Sequence, residues 1–183
     1  MLMEPGKAAL MVIDVQEKLL PAMPDSEQLQ ARIQWLISAC HAFDTPILFT
    51  EQYPRGLGHT LPALTQLVEQ PEIVEKMHFS VVAANCLPKH WQHYSQVIVC
   101  GMETHVCVLQ TVLELVKAGK EVFVVADAVG SRTEQNRQLG LDRMRDAGAH
   151  IVSREMVVFE LLQQAGTEQF KTISKQFLRG EQP

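Results

Sequence analysis

Six short runs of apolar, largely β-branched residues recur along the chain, with helical patterns between several of them. This alternation constrains the fold most, because an unbroken apolar run of such length is typical of a parallel strand buried on both faces. A strand, a helix and another strand in sequence predict βαβ units and a parallel sheet. The predicted strands are Ala8–Ile13, Pro46–Thr50, Glu72–Met77, Val97–Cys100, Val122–Ala126 and Ile151–Ser153.

Amphipathic segments predict the helices that would cover this sheet. The stretch DSEQLQARIQWLISACHAF, which begins at Asp25, carries apolar residues on one helical face. A further helix is predicted from Thr133 to Ala147, and closing helices follow the last strand. A chain of 183 residues without repeat or linker fits one domain over residues 1–183. We therefore expect a three-layer, doubly wound α/β fold whose six-stranded parallel sheet has the order 3-2-1-4-5-6.

Charge and cysteine content narrow the classes of partner and compartment. A formal net charge of -5 and the lack of a basic run disfavour nucleic acid as a partner. The opening residues MLMEPGKAALMVIDVQ resemble neither a secretory signal nor a membrane span, so we expect a cytoplasmic protein without membrane contact. The cysteines show no zinc-type spacing and should be free thiols in a reducing compartment. Three of them are expected to be small buried apolar residues, namely Cys40, Cys86 and Cys100.

The stretch VIVCGMETHVCVLQTVLELVKAG places Cys107 near the start of a helix. A strand ends, the chain turns at Gly101, and an amphipathic helix follows with Thr104 as its predicted N-cap. In the expected strand order, ligands bind beyond the carboxyl ends of the first and fourth strands. Asp14, which ends the first strand, would therefore face Cys107. The free N–H groups of a first helical turn lower the pKa of a thiol and can hold an oxyanion.

Each of these residues also has a simpler interpretation. A lone cysteine is most often an inert core residue. Asp14 could cap a loop or helix, although a carboxylate that interrupts a buried strand is costly unless it is paired or faces a polar cleft. Lys76, near the end of the third strand, would balance a carboxylate beside a thiolate, but it could equally be an ordinary surface lysine. The third strand also lies roughly 9 to 10 Å from the first, a gap that only a long side chain could cross.

Asp14, Lys76 and the segment G-M-E-T-H-V-C-V-x-x-T around Cys107 together resemble the isochorismatase-like cysteine hydrolases. The similarity runs from ALMVIDVQEKLL to FELLQQAGTEQFKTISK, and TEQYPRGLG, EKMHFS and VVADAVGSR look most like the isochorismatase domain-containing branch. The resemblance implies a triad in which Asp14 takes the thiol proton, Cys107 attacks a carbonyl carbon to form a thioester, and Lys76 balances the charge. It also implies a cis peptide at Met102–Glu103 and an oxyanion hole formed by the backbone N–H groups of Glu103 and Cys107.

Two features of the family bear on the substrate. Nicotinamidases of the family carry a metal site built from an Asp and two His after the second strand, whereas TEQYPRGLGHTLPAL offers Glu51 and His59 without a D-x-H pattern. We therefore expect no metal and no other cofactor, and nicotinamide becomes a less fitting substrate. Isochorismatases that cleave a vinyl ether need no cysteine nucleophile. Cys107 thus favours an amide, carbamoyl or related carbonyl substrate and the hydrolysis of a C–N bond.

Other residues near the predicted rim are weaker candidates. Gln16, Tyr53 and Arg55 follow the first and second strands and could bind a small-molecule substrate. Arg55 suits a carboxylate, unless it is simply solvated. His105 precedes the thiol by two residues and points elsewhere on a helix, so a direct Cys–His pair is not expected, although it could line the pocket. Asp127, at the end of the fifth strand, is expected to cap the AVGS loop.

The sequence therefore supports two hypotheses from different classes. The first is a metal-independent cysteine hydrolase that acts on a small amide, carbamoyl or related carbonyl compound. The second is a non-catalytic or redox-responsive interaction protein of the same fold, whose thiol is oxidised or structural. Members of the family form dimers or larger assemblies, so the resemblance implies a homo-oligomer in both cases.

Overall fold

The computed structural model describes residues 1–179. Its six strands are all parallel and form one sheet in the order β3-β2-β1-β4-β5-β6. This confirms the predicted strand order and fold class. The last residues of the predicted domain, 180–183, lie outside the described residues. The strands are β1 Ala8–Ile13, β2 Ile47–Gln52, β3 Glu72–Lys76, β4 Gln96–Met102, β5 Glu121–Gly130 and β6 His150–Val152.

Helices cover both faces of the sheet and give the three layers. They are α1 Ser26–Ala42, α2 Pro54–Leu57, α3 Pro62–Thr65, α4 Leu109–Lys117, α5 Glu134–Asp146, α6 Arg154–Leu162 and α7 Glu168–Ile173. Two π-helical turns accompany them, Thr104–Val108 before α4 and Ser174–Leu178 after α7. Within residues 1–179, no helix is long and apolar enough to span a membrane.

The side chains of β1 alternate between two apolar cores. Leu10 and Val12 pack on the side of α1 and α6, whereas Met11 and Ile13 pack on the side of α4 and α5. Every residue of β1 is buried, as expected for a central parallel strand. The central position of β1 means that the residue after Ile13 lies at the middle of the sheet's carboxyl edge.

The strand register fixes which residues meet at that edge. Ile13 pairs with Thr50 on one side and with Gly101 on the other, so β1, β2 and β4 end close together. A β-carbon added to Gly101 would lie 2.1 Å from the carbonyl oxygen of Ile13, and its φ is +112°. Only glycine allows this approach. The strand β4 continues through Gly101 to Met102, two residues beyond the predicted end, so the turn expected at Gly101 was placed too early.

Candidate active site

Asp14 follows β1 and is completely buried at the carboxyl edge of the sheet. Its φ of 53° is unusual for a residue other than glycine. One carboxylate oxygen, Oδ1, accepts a hydrogen bond from the Thr50 hydroxyl at 2.6 Å. The other, Oδ2, lies 2.6 Å from the Lys76 ammonium. A buried carboxylate with two short charge-assisted contacts is held in one orientation.

Lys76 is the last residue of β3 and reaches past β2 to this carboxylate. Its backbone is in register with Gln52, and its ammonium donates a second hydrogen bond to Gln52 Oε1 at 2.9 Å. The side chains of Lys76 and Asp14 both have 0% exposure. The length of the lysine side chain thus closes the gap of two strands, which the sequence alone left open.

Cys107 lies in the π-helical turn between β4 and α4, and only 5% of the residue is exposed. Its thiol lies close enough to the Asp14 carboxylate for each group to shift the pKa of the other. Burial raises the pKa of the Cys107 thiol far above its ordinary value, the negative charge of Asp14 raises it further, and Lys76 opposes the shift. The expectation that the helix start lowers this pKa is therefore wrong, because loss of solvent and the adjacent carboxylate outweigh the helix.

The pKa of the Asp14 carboxyl is also raised, chiefly by burial, while Lys76, Thr50 and Cys107 pull it down. Lys76 supplies the largest of the opposing effects, as an adjacent cation should. Burial thus opposes negative charge on both groups, while Lys76 favours the ionised form of each. A carboxylate beside a thiol can serve as the base that activates it as a nucleophile.

The start of the nucleophile's helix also differs from the prediction. The residue that precedes the helical turn is Glu103, whose backbone is extended, and Thr104 is already the first helical residue. The Thr104 hydroxyl caps no N–H group, and it is buried without a hydrogen-bond partner. Thr104 is therefore not the N-cap. The peptide bond between Met102 and Glu103, directly before this turn, is cis.

The Glu103 carbonyl closes the wide turn that contains Cys107. The carbonyl of Glu103 accepts hydrogen bonds from Val106 at 3.0 Å and from Val108 at 3.2 Å, the residues on either side of Cys107. The Glu103 carboxylate forms an ion pair with Arg132 at 2.8 Å. The Glu103 side chain is therefore anchored to Arg132 at the start of the turn.

The other predicted rim residues have different environments. Gln16 is completely buried, and its side chain binds the backbone of Gln52 and Gly58. Tyr53 is 47% exposed and Arg55 is exposed, both beyond the end of β2. His105 is half-buried, with Nδ1 2.9 Å from the Ser131 hydroxyl. The structure thus ties Gln16 to the protein itself and leaves Tyr53 and Arg55 open to solvent.

Two polar residues of β2 belong to the site and were not predicted from the sequence, namely Thr50 and Gln52. Both contact the Asp14–Lys76 pair, Thr50 through the carboxylate and Gln52 through the ammonium. They are two residues apart, so their side chains point to the same face of the strand. The available signal was this pair of polar residues, spaced by two, directly after the apolar residues at the start of β2.

The remaining cysteines are free thiols in the described part of the chain. Cys40 and Cys100 are buried, and burial raises the pKa of Cys40 to about 12. Cys86 is only half-buried, with its sulfur 3.7 Å from the Val81 carbonyl. The charges of Lys76 and Asp14 both affect the pKa of Cys86, so this thiol lies near the site although the sequence predicted an ordinary core residue.

The region after β2 does not present the metal ligands seen in nicotinamidases of the family. Glu51 accepts a hydrogen bond from the Thr60 backbone at 2.7 Å and contacts His59 Nδ1 at 3.0 Å. Both carboxylate oxygens therefore hold the loop that follows. Among residues 1–179, no group of three or more His, Cys, Asp or Glu side chains could hold a metal ion.

Comparison with known proteins gives a consistent result. The isochorismatase domain matches residues 8–156. The mouse isochorismatase domain-containing protein 2A is 38% identical over 174 residues, which cover 93% of this chain and 82% of that protein. A structure named MAR1 ribonuclease, from Caenorhabditis elegans, superposes with a TM-score of 0.91 and 34% identity, covering 100% of this chain and 95% of the other.

A second solved structure, YcaC from Pseudomonas aeruginosa with hexane-2,5-diol and covalent acrylamide, has a TM-score of 0.84 and 25% identity. The match covers 97% of this chain and 92% of that one. The three comparisons thus indicate the same family. The domain match covers residues 8–156, and the mouse relative and the two solved structures cover at least 93% of the chain. The chain belongs to the isochorismatase family and has its hydrolase fold.

Proposed function

We propose that the chain is a cysteine hydrolase that cleaves a C–N bond in a small amide or carbamoyl compound, without a metal or other cofactor. Asp14, Lys76 and Cys107 would be its triad. The supporting observation is the buried Asp14 carboxylate, which lies 2.6 Å from the Lys76 ammonium and close enough to the Cys107 thiol for each group to shift the pKa of the other. The whole chain is taken to act as one domain.

The proposed reaction has two halves. In the first, the Cys107 sulfur attacks the carbonyl carbon while its proton passes to Asp14, and a tetrahedral oxyanion forms. Collapse of this intermediate breaks the C–N bond, Asp14 protonates the departing nitrogen, and a thioester remains. In the second half Asp14 takes a proton from water, the resulting hydroxide attacks the thioester, and the acid leaves as the thiol regains its proton.

Each protein group has a defined part in this scheme. The raised pKa of the thiol means that proton transfer to Asp14 accompanies the attack and does not precede it. Lys76 keeps the carboxylate side of the site electrically balanced throughout. The oxyanion would be bound by the backbone N–H groups of Glu103 and Cys107. In the same turn, the Glu103 carbonyl accepts hydrogen bonds from the N–H groups of Val106 and Val108.

One observation supports a reactive thiol, and one chemical argument favours an amide as its substrate. The related Pseudomonas protein is described with covalent acrylamide, a small primary amide that is also an electrophile. In addition, the buried Asp14 carboxyl can return a proton to the leaving nitrogen. A leaving amine depends on this proton more than a leaving alcohol does, because an amide anion is a poorer leaving group than an alkoxide. We propose Tyr53, Arg55 and His105 as residues that contact the substrate, and Gln16 as a support behind them.

The direct test is a panel of small amides, carbamoyl compounds, esters and vinyl ethers, with ammonia or acid release as the readout. We expect the wild type to hydrolyse an amide and Cys107→Ala to show only background release. Acrylamide provides a second readout, since its β-carbon bonds to sulfur and the thiol proton ends on its α-carbon. Peptide mapping should locate this adduct at Cys107. Turnover retained in Cys107→Ala, or hydrolysis restricted to vinyl ethers, would reject the covalent mechanism.

RNA is a less suitable substrate than a small amide. A formal net charge of -5 opposes the phosphate contacts on which RNA binding depends. Because the Caenorhabditis elegans relative is named a ribonuclease, the question warrants an experiment. Incubation of a fluorescent RNA with wild type and Cys107→Ala should give no cleavage in either. Cleavage that disappears in the variant would replace the small-amide proposal.

We also propose a cytoplasmic homo-oligomer, a dimer or larger. A surface groove of about 630 Å³ is lined by Leu2, Met156 and Phe159, each of them exposed. Apolar surface of this kind is typical of contacts between subunits. A monomer in light scattering would contradict the proposed homo-oligomer. Disulfide bonds between the cysteines in cells would contradict the proposed cytoplasmic location, because the cytoplasm keeps thiols reduced.

A further inference from the structure

The ammonium of Lys76 has two acceptors, and only one of them is charged. Its Nζ lies 2.6 Å from Asp14 Oδ2 and 2.9 Å from Gln52 Oε1. Gln52 is 8% exposed, so water does not compete freely for these contacts. The neutral amide oxygen fixes the position of the ammonium without sharing its charge, which stays directed at Asp14.

The Gln52 side chain can take only one orientation. Its Nε2 donates to the Met77 carbonyl at 2.9 Å, so Oε1 must face Lys76. The reversed amide would set an N–H₂ group against an ammonium and an oxygen against a carbonyl, which places donor against donor and acceptor against acceptor. The neighbouring backbone therefore assigns the amide orientation.

The backbone of Gln52 is held just as firmly. Gln16 Oε1 accepts its N–H at 2.8 Å, and Gln16 Nε2 donates to its carbonyl at 3.0 Å. A second bond from Gln16 Nε2, to Gly58 O at 2.6 Å, joins the loop after β2 to this point. A series of hydrogen bonds therefore links Gln16 to Gln52, Gln52 to Lys76, and Lys76 to Asp14.

From these contacts we infer that Gln52 is a positioning residue, which holds the Lys76 ammonium against Asp14 and so sets the proton affinity of the carboxylate that serves Cys107. The inference rests on the proposed function. Gln52 touches neither the thiol nor the reacting carbon. It acts only through Lys76, so its effect should be visible in the ammonium itself and in the pH dependence of the thiol's reaction.

Two variants separate positioning from simple support of the loop. Gln52→Met and Gln52→Glu both lose the N–H donor to the Met77 carbonyl, but only Gln52→Glu keeps an oxygen for Lys76. The same pair of changes at Gln138, an exposed residue of α5, is the matched control. The readouts are the Lys76 ammonium signal in a ¹H–¹⁵N spectrum of the full chain, assigned with Lys76→Met, and the rate of acrylamide adduct formation at Cys107 against pH.

Gln52→Met is expected to abolish the ordered ammonium signal and to slow adduct formation by about tenfold to a hundredfold, since a displaced catalytic support costs rates of this order. Gln52→Glu should retain the signal. Its added charge draws the ammonium from Asp14, so the acid midpoint of the rate should move up by about one pH unit. If Gln52→Met does not fold, Gln52→Asn, which is one methylene shorter, should give the same loss.

The inference would be overturned if both Gln52 variants keep the wild-type ammonium signal and the wild-type acid midpoint. Gln52 would then only support the loop. The ammonium signal does not require a reactive thiol. Failure of the proposed function would appear differently, as a wild-type Cys107 that forms no adduct while the ammonium still depends on Gln52.

Discussion

Two aspartate ion pairs lie near the carboxyl ends of the strands, and they differ in how the carboxylate is used. Asp127 of β5 gives both oxygens to one residue, Arg154, through its backbone N–H at 3.0 Å and its Nε at 2.9 Å. Asp14 instead divides its oxygens between Thr50 and Lys76, which come from two separate strands, and its pKa is also lowered by Cys107 from a third part of the chain.

The two environments also differ in burial and purpose. The Asp127 side chain is 34% exposed, and the Arg154 guanidinium lies 5.1 Å from the centre of the Trp35 ring. Asp127 thus attaches the start of α6 to the sheet. It does not cap an AVGS loop, as the sequence suggested, because β5 continues to Gly130 and both Asp127 oxygens accept hydrogen bonds from Arg154. The pair of Asp14 and Lys76 differs in having a third titratable group beside it, the Cys107 thiol, which lowers the pKa of Asp14.

The largest expected effect comes from replacing each aspartate with asparagine, which keeps the shape and removes the charge. Asp14→Asn should slow acrylamide addition at Cys107 by on the order of 10⁴-fold, because the base is lost. Asp127→Asn should leave that rate unchanged and lower the free energy of unfolding by about 1 to 3 kcal/mol. Adduct mass spectrometry and urea unfolding measure the two quantities. If both variants slow acrylamide addition equally, the two ion pairs do not differ in their effect on Cys107.

A double variant controls for stability in this experiment. Asp14→Asn alone leaves a buried ammonium without its carboxylate, which should cost about 3 to 5 kcal/mol of unfolding free energy. Adding Lys76→Met removes the second charge and should restore much of that stability, while the adduct rate stays low. A rate that recovers together with stability would show that Asp14→Asn acts by unfolding the site.

The second expected effect is on pH dependence. Burial raises the pKa of Asp14 above its ordinary value of 3.8. The carboxylate accepts a proton only above its pKa, so the adduct rate should fall as pH decreases, with an acid midpoint above 3.8. Lys76→Met removes the main effect that lowers this pKa and should move the midpoint higher still, whereas Asp127→Asn should keep the wild-type midpoint. A wild-type midpoint at or below 3.8 would contradict this assignment.

The smallest expected effect is at Thr50, whose hydroxyl lowers the pKa of Asp14 by hydrogen bonding. Thr50→Val keeps the shape and loses this bond, so the acid midpoint should rise by less than in Lys76→Met. The free energy of unfolding should fall by about 1 kcal/mol. Thr50→Ser keeps the hydroxyl and should resemble wild type. If valine and serine give the same midpoint, the hydroxyl has no influence on the carboxylate.

The outline of the site was predictable because strand ends converge in a parallel sheet. Asp14 and Cys107 could be placed opposite each other from strand order, and strand order follows from the apolar runs. The roles of Thr50 and Gln52 could not be predicted, because two polar residues at a strand end look the same whether they face solvent or a buried ion pair. The direction of the thiol's pKa shift was also missed, since it depends on burial.

The sequence by itself determined the six-stranded doubly wound sheet and the family, since both depend on patterns that are local or repeated along the chain. Only the tertiary structure decided that Lys76 crosses β2, that Gln52 accepts a hydrogen bond from it, and that burial and Asp14 raise the pKa of the Cys107 thiol. Side-chain reach, strand register and loss of solvent set these outcomes. Each of them depends on distances between segments that are far apart in sequence, and no local pattern encodes those distances.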